Sequence, residues 1–390
     1  MKAKSLLGVL IFVVSLFSVA SSITVAQRFT IIIPSPDEIM DITAGDSHTC
    51  VRQFDGDVYC WGRNDRGQAG TWTSAVVNAP IKVATGAIQL EAGAGHTCIL
   101  NSARNALCWG DNTYGQLGIA NGSYGYQSSP LPVAGGLVFS TISAGKYSTC
   151  GNATTGLFCW GNIMNNGTGI PTPVQILGPN GYSNVTVGHR HMCAVYAVGS
   201  WREVNCFGNN SFGQMAIDKS FSNLPFMLGS NFGSSVSRVS TQVNFTCADQ
   251  MSGIVQCAGE NIFGQLGNGV VGGDNFMPQT VGNGMGLRGV STGSGHACAI
   301  DPSSRAHCWG SGSRGQLGNN ASAFTPQGYI FASPQPVLGG LSFRAIASGG
   351  QHTCAVTTDN RVFCWGDNGF GQLGLFYNSG FQTSPTWNAM

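Results

Sequence analysis

The segment 348–374 reads SGGQHTCAVTTDNRVFCWGDNGFGQLG, and it decides the fold of the chain. Two short apolar runs around Cys354 and Cys364 are joined by the turn residues Asp359-Asn360, which is the pattern of a β-hairpin. Alternate side chains of a strand point to opposite faces, and both faces of this hairpin carry apolar residues. The segment therefore predicts a hairpin that is buried on both sides and followed by a glycine-rich loop, Gly371-Gln372-Leu373-Gly374.

The same pattern recurs along the chain at intervals of roughly fifty residues, a period typical of propeller blades or solenoids. The first repeat has His48-Thr49-Cys50, Cys60-Trp61-Gly62 and Gly67-Gln68-Ala69-Gly70. Repeats four and five replace the tryptophan with Phe207 and Ala258. Each repeat contains one pair of the fourteen cysteines, so seven repeats are present.

The even number of cysteines behind an amino-terminal signal sequence predicts a disulfide framework. The local repeat selects pairing within each hairpin, and the absence of any Cys-x-x-Cys argues against structural zinc. The predicted bridges are Cys50–Cys60, Cys98–Cys108, Cys150–Cys159, Cys193–Cys206, Cys247–Cys257, Cys298–Cys308 and Cys354–Cys364.

Seven units of this kind predict an all-β fold, a seven-bladed β-propeller with one intra-blade disulfide per blade. The alternative is a linear solenoid, which would normally have polar caps at both ends. The tail Ser384-Pro385-Thr386-Trp387 resembles the Ser-Pro element that follows other repeats. We expect this tail to supply a missing strand to the blade that begins near Ile39, which would close the ring.

The amino terminus has the pattern of a secretory signal peptide: a basic start, an apolar run from Leu6 to Ala20, and small residues. We assign 1–26 to the signal peptide, with cleavage after Ala20 as the alternative, 27–38 to a lead-in and 39–390 to the propeller. A membrane anchor is disfavoured because the apolar run is shorter than a span of about 20 residues. The mature chain is therefore expected to be secreted, or part of a plasma-membrane ectodomain.

Charged residues make up only 9% of the chain, and the net charge is +1. Nucleic acids are bound mainly through many Lys and Arg contacts to phosphate, so a nucleic acid partner is excluded. The expected partners are an extracellular peptide, a glycan or a protein ectodomain, without a membrane span in the mature chain.

The combined His-Thr-Cys, Cys-Trp-Gly and Gly-Gln-Leu-Gly spacing, from about Ile39 to Gly374, resembles the repeats of the regulator of chromosome condensation family. It is most similar to their variant in the ectodomain of plant crinkly-type receptor-like kinases, where paired cysteines mark each blade. The resemblance implies ligand binding in receptor-kinase-type signalling. The sequence lacks the kinase signatures, so a soluble relative, a truncated gene model and an isolated ectodomain all remain open. A secreted protein inhibitor or glycan-directed propeller is the alternative function.

No catalytic residue, metal ligand or cofactor is predicted. Five histidines lie two positions before the first cysteine of a repeat, where sevenfold symmetry would keep them apart and a structural role is expected. They are His48, His96, His191, His296 and His352. The acidic residues lie mainly at turns, so they do not form the carboxylate pair that glycoside hydrolysis needs.

Seven Asn-x-Ser/Thr sequons become candidate glycosylation sites in a secreted chain. They are Asn121, Asn152, Asn166, Asn184, Asn209, Asn244 and Asn320. Asn152 is expected in a hairpin turn and is therefore the favoured acceptor.

Ligand binding is expected on the variable loops between repeats, because rigid scaffolds commonly carry function on such loops. Aromatic residues among Gly, Ser and Asn offer large contact area, as in antibody loops. The candidates are Tyr124, Tyr126, Phe226, Phe324, Tyr329 and Phe331, with Trp201 on the lengthened hairpin of repeat four.

Overall fold

The computed structural model describes residues 35–119, 125–163, 167–179, 181–221, 223–322, 329–378 and 380–388. Within these ranges all regular structure is β-strand. The described residues contain no helix with the length and apolar character needed to cross a membrane.

Twenty-eight strands follow one another in groups of four. Blades 1 to 4 contain β1 Ile39–Ala44, β2 His48–Gln53, β3 Val58–Arg63, β4 Val76–Ala84, β5 Ala87–Ala92, β6 His96–Asn101, β7 Ala106–Asp111, β8 Tyr126–Pro132, β9 Phe139–Ala144, β10 Ser148–Ala153, β11 Gly156–Gly161, β12 Ile170–Leu177, β13 Tyr182–Val187, β14 His191–Val198, β15 Trp201–Asn209 and β16 Asn223–Gly229. Blades 5 to 7 contain β17 Val236–Thr241, β18 Phe245–Gln250, β19 Val255–Gly259, β20 Asn275–Thr280, β21 Arg288–Thr292, β22 His296–Ile300, β23 Ala306–Ser311, β24 Ile330–Pro336, β25 Phe343–Ser348, β26 His352–Thr357, β27 Val362–Asp367 and β28 Phe381–Asn388.

Each group of four strands forms its own antiparallel sheet, with the strands in sequence order from the inner edge to the outer edge. The two middle strands are the predicted cysteine hairpin, and the cysteines stand directly opposite each other in register, as in Cys50↔Cys60. All seven predicted disulfides are present. The prediction of a seven-bladed all-β propeller with one disulfide per blade is confirmed.

The expectation that the tail completes the first blade is wrong. The tail lies in β28, which pairs with β27 in blade 7, while β1 to β4 already complete blade 1. The reason is that the Ser-Pro element belongs to the fourth strand of its own blade, as Ser129-Pro130 in β8 and Ser333-Pro334 in β24 also do, so the last copy is the fourth strand of the last blade. The ring closes through contacts between blades 7 and 1, with no strand exchanged.

The glycine of the Trp-Gly pair is required by the backbone. Gly62 has φ +104°, and a Cβ there would lie 2.6 Å from Ser47 O and 2.7 Å from His48 Cα. The register between β3 and β4 shifts at this point, between Cys60 and Gly62. Positive φ and close backbone approach are both accessible to glycine without strain, which explains why the residue persists in repeats that have lost the tryptophan.

The hydrophobic core lies between the blades. Each buried cluster joins neighbouring sheets, for example Leu117 and Cys98 of blade 2 with Phe139, Ile142 and Trp160 of blade 3. The tryptophans Trp61, Trp109, Trp160, Trp309 and Trp365 are completely buried in these clusters. Burial of apolar surface between sheets therefore stabilises the ring, while the disulfides act within single blades.

The alternating strand direction gives the propeller two distinct ends. The loops that join the third and fourth strands of a blade have 8 to 18 residues, and we call the end that carries them the long-loop face. The turns that join the second and third strands have two to five residues, and they form the short-turn face.

Candidate functional site

The five histidines of the repeat bind across the seams between blades. In each case the histidine Nε2 lies within hydrogen-bond distance of the hydroxyl of a threonine in the next blade. The pairs are His48–Thr97 at 2.9 Å, His96–Thr149 at 2.8 Å, His191–Thr246 at 2.8 Å, His296–Thr353 at 3.0 Å and His352–Thr49 at 2.9 Å. The histidines therefore have the structural role that the sequence predicts, and they do not converge.

The glutamine of the Gly-Gln-Leu-Gly element completes the same link. The carbonyl oxygen of Gln372 accepts from the Thr49 hydroxyl at 3.0 Å and from Trp61 Nε1 at 2.8 Å, both in the next blade. Because Thr49 donates its only proton to this carbonyl, it must accept from His352, which assigns the Nε2–H tautomer. The three short motifs of the repeat are thus parts of one hydrogen-bonded link between consecutive blades.

Burial keeps these histidines neutral. Desolvation lowers the pKa of His48, His96, His191, His296 and His352 from 6.5 to about 3. The second ring nitrogen, Nδ1, is buried in each of them without a hydrogen-bond partner. A proton there would have no acceptor, which is the physical reason that the charged form is disfavoured.

The link is complete at four seams: 7/1, 1/2, 2/3 and 6/7. At seam 3/4 the histidine position holds Ser148 and the matching threonine position holds Met192, so both partners are replaced together. At seam 5/6 the corresponding residues are Phe245 and Ala297. The histidine and the threonine are thus replaced together. This paired change is the sequence signal that could have predicted the contact between neighbouring repeats.

We expect the ring to open first at seam 3/4, which has neither the histidine–threonine bond nor the tryptophan–glutamine bond. Native-state amide exchange should therefore be several-fold faster for amides flanking this seam than for those flanking seam 2/3, which has both. Exchange measured by mass spectrometry at neutral pH checks this. Equal protection at both seams would contradict it.

The two remaining histidines also have partners that the sequence pattern did not indicate. His307 Nε2 lies 3.0 Å from Asp301 Oδ2, and the same carboxylate accepts from the backbone of Ser303 and Arg305 at the hairpin turn. His189 Nε2 lies 3.7 Å from Asp46 Oδ1, joining blade 4 to blade 1. Both histidines thus contact carboxylates that belong to turns.

Several exposed aromatic side chains lie at the long-loop face of blades 7, 1 and 2. We call Phe370, Tyr377, Trp72 and Tyr126 the aromatic arc; Trp72 is 65% exposed and Tyr126 is 49% exposed. The rings of Trp72 and Tyr126 are 6.1 Å apart, and the Arg63 guanidinium lies 4.8 Å above the Phe370 ring. Of these residues only Tyr126 was predicted from the sequence, because the predicted binding loops lie in blades 2, 4 and 6.

The predicted ligand-binding residues do not form a single surface. Tyr126 and Tyr329 are exposed on the long-loop face, whereas Phe331 is half-buried against the core of blades 6 and 7. Trp201 is 56% exposed, but it lies at the opposite, short-turn face, because it begins the third strand of blade 4. Tyr124, Phe324 and the side chain of Phe226 lie outside the described residues.

The side-chain amides of two sequon asparagines form hydrogen bonds in the folded chain. Asn152 lies within β10 and not in the turn, and its Nδ2 donates to Tyr182 O at 2.7 Å. Asn184 lines the central channel, where its Oδ1 accepts from Val239 N. Asn209, Asn244 and Asn320 are described near loops, while Asn121 and Asn166 lie outside the described residues.

Comparisons with known proteins show a similarity to a known repeat in parts of the chain. The family model described as the regulator of chromosome condensation (RCC1) repeat matches residues 39–68, 87–116, 288–316 and 343–372, and a second model of the same repeat matches 55–100 and 304–356. The ultraviolet-B receptor UVR8 of Arabidopsis thaliana is 27% identical over 361 residues, which cover 87% of this chain and 79% of the receptor.

Solved structures share the fold. Prp20p of Saccharomyces cerevisiae is 17% identical with a TM-score of 0.75, over 93% of this chain and 91% of the yeast chain. The crinkly ectodomain of the Arabidopsis thaliana receptor kinase ACR4 is 19% identical with a TM-score of 0.51, over 89% of this chain and 99% of that chain. The chain is thus a seven-bladed propeller in which segments of blades 1, 2, 6 and 7 match the RCC1 repeat models.

Proposed function

We propose that this propeller is an extracellular binding module, secreted or part of a receptor ectodomain, that contacts a protein or peptide partner through its long-loop face. The observation that carries the proposal is the aromatic arc, in which Trp72 and Tyr126 stand exposed and in mutual contact. Aromatic residues are enriched at the centres of protein interfaces, and monomeric surfaces rarely group them without a partner.

The extracellular part of the proposal is supported by the disulfides and by the predicted signal peptide. Fourteen cysteines are all paired, a usage found in oxidising compartments. The predicted signal peptide lies in 1–34, outside the described residues, and stays a prediction. Prp20p, whose binding to Gsp1p and histones has been characterised, offers a precedent for partner binding on this fold.

We propose that the propeller itself performs no catalysis. Within the described residues no group of three or more His, Cys, Asp and Glu side chains could hold a metal ion. The acid–base pair His307–Asp301 is engaged in holding a turn, as the bonds from Ser303 and Arg305 to Asp301 indicate. We further propose that the propeller acts in signalling through a receptor kinase, which is supported by its resemblance to crinkly-type ectodomains.

Replacing Trp72 and Tyr126 together with Ala should weaken binding of the partner at least tenfold, because anchors of this size contribute about 2 kcal/mol or more to an interface. The partner is first captured by proximity labelling with the displayed propeller, and affinity is then measured by surface plasmon resonance. Thermal melts confirm that the variant folds, which is expected since both side chains are exposed.

The matched control is Trp201→Ala, an exposed tryptophan on the opposite face. Binding that depends on Trp201 and not on the aromatic arc would contradict the proposed face. Tyr329→Ala tests whether the surface extends to blade 6. Retention of full affinity in all of these variants would overturn the proposal that exposed aromatics bind the partner.

A further inference from the structure

The propeller encloses a polar channel along its axis. A cavity of about 440 Å³ is lined by the inner strands of all seven blades, from Met40 and Arg344 at its mouth to the turns after the inner strands. Cavities of this size commonly hold small molecules. At the long-loop face the channel ends where Asp46 of blade 1 and His189 of blade 4 meet across the axis, 3.7 Å apart.

Most of the channel wall is uncharged and satisfied by its own hydrogen bonds. The penultimate residue of the inner strand is a hydroxyl residue in five blades, and that hydroxyl accepts from a backbone N–H of the next blade. The residues are Thr43, Ser143, Thr186, Ser240 and Ser291, with bonds of 2.9 to 3.2 Å. Blades 2 and 7 depart from this pattern, since the same position holds Glu91 in blade 2 and Ala347 in blade 7.

Glu91 is a carboxyl group with unused capacity. It accepts one hydrogen bond, from Gln89 Nε2 at 3.1 Å, and forms no ion pair within 4.0 Å among the described residues. Burial raises its pKa to about 7; the neighbouring Asp41 adds to the increase, and Arg238 opposes it. Asp41 itself is paired with Arg52 at 2.6 Å, so Glu91 is the carboxyl group of the described channel wall that lacks a cationic partner.

Arg238 is a cationic group of the channel that lacks an anionic partner among the described residues. It lies on the inner strand of blade 5, across the ring from blade 2, where it is exposed in the channel and has no ion pair within 4.0 Å among the described residues. The other guanidinium of the lining, Arg344, is engaged with Ile39 O and Asn360 Oδ1. One carboxyl and one guanidinium thus face the same cavity from opposite walls without meeting.

We propose that the central channel is a binding site for a small zwitterion of the amino-acid or short-peptide class. Its ammonium group binds Glu91, and its carboxylate binds Arg238. A guanidinium can hold a carboxylate through two parallel hydrogen bonds, and such charge-assisted bonds are the strong ones in a partly desolvated site. The wall hydroxyls Thr43, Ser143, Thr186, Ser240 and Ser291 already accept from backbone N–H groups, so the two charged groups carry the recognition. This site is separate from the aromatic arc and does not depend on the proposed partner.

The test uses isothermal titration calorimetry of the full chain with glycylglycine and each of the twenty amino acids. We expect saturable binding of at least one of these zwitterions, and at least tenfold weaker binding in Glu91→Gln and in Arg238→Gln. N-acetylglycine, which lacks the cation, and glycinamide, which lacks the carboxylate, should bind at least tenfold more weakly than glycine or glycylglycine.

Arg314→Gln is the matched control, because it removes an exposed charge outside the channel and should leave binding unchanged. Thermal melts of each variant separate misfolding from loss of the site, and the conservative variants Glu91→Asp and Arg238→Lys should retain part of the affinity. Absence of saturable binding by any probe, or binding that is unaffected by both Glu91→Gln and Arg238→Gln, would overturn the proposal.

Discussion

The propeller is expected to lose stability steeply as the pH falls below about 6.5. Five buried histidines have pKa values of about 3 in the folded state, while the unfolded chain binds protons at the ordinary value of 6.5. Below pH 6.5 these histidines therefore bind protons in the unfolded state but not in the folded state, and the free energy of unfolding decreases. The stability is present above pH 6.5 and is lost progressively toward pH 3.

The size of this effect follows from linkage. Each histidine contributes a slope of up to about 1.4 kcal/mol per pH unit, so five approach about 7 kcal/mol per pH unit. The raised pKa values of Glu91, Asp249 and Glu260, all caused mainly by burial, offset part of it. Because domains are typically stable by 5–15 kcal/mol, cooperative unfolding is expected within about two pH units below 6.5.

Urea denaturation followed by tryptophan fluorescence at pH 7.5, 6.5 and 5.5, with the disulfides intact, measures the slope. The variant His96→Gln keeps an N–H donor for Thr149 but does not titrate, so it should reduce the proton uptake by about one. An unfolding free energy that is constant from pH 7.5 to pH 5.5 would contradict the role given to the histidines.

Replacing Thr49 with Val should lower the free energy of unfolding by about 1–3 kcal/mol, the usual cost of leaving a buried donor unsatisfied. The change preserves the shape of the side chain but removes the hydroxyl that accepts from His352 and donates to Gln372 O. Because this link closes the ring, the loss should also increase amide exchange in blades 1 and 7. Chemical denaturation and amide exchange measure the two effects.

The control for this substitution is Thr155→Val, on an exposed turn of blade 3, which should change stability by less than about 0.5 kcal/mol. If Thr49→Val proves equally mild, the hydrogen-bonded link is not a substantial source of stability and apolar burial alone closes the ring.

The sequence predicts the blades well, because the information that specifies a hairpin is local. The cysteine spacing, the turn residues and the glycine of the Trp-Gly pair all act within a single repeat. His352 and Thr49, by contrast, are 303 residues apart in the chain. The repeat motif shows which residues recur, but not which copy of the repeat each of them contacts. At seam 3/4 the histidine and its threonine partner are both replaced, by Ser148 and Met192. A comparison of neighbouring repeats with each other would reveal this paired change.

The surfaces were less predictable for a related reason. Trp201 and Tyr329 both lie in variable segments, but which end of the propeller they occupy depends on the direction of the adjoining strand. The charged groups of the channel are visible in the sequence at Glu91, which departs from the hydroxyl pattern, and at Arg238. That they face one cavity follows only from the closed ring, since blades 2 and 5 are far apart in the chain.

Because the ring closes without an exchanged strand, one repeat of the sequence corresponds to one complete blade of the structure. Each sequence period encodes one complete sheet, with His and Gln on one flank and Thr and Trp on the other, so blades with a full set are interchangeable neighbours. Duplication or deletion of one period would add or remove a whole blade without breaking any sheet. The number of blades in such a lineage is then limited by the curvature of the ring and by the fit of apolar surfaces between neighbours, and the amino and carboxyl ends could be moved to any seam.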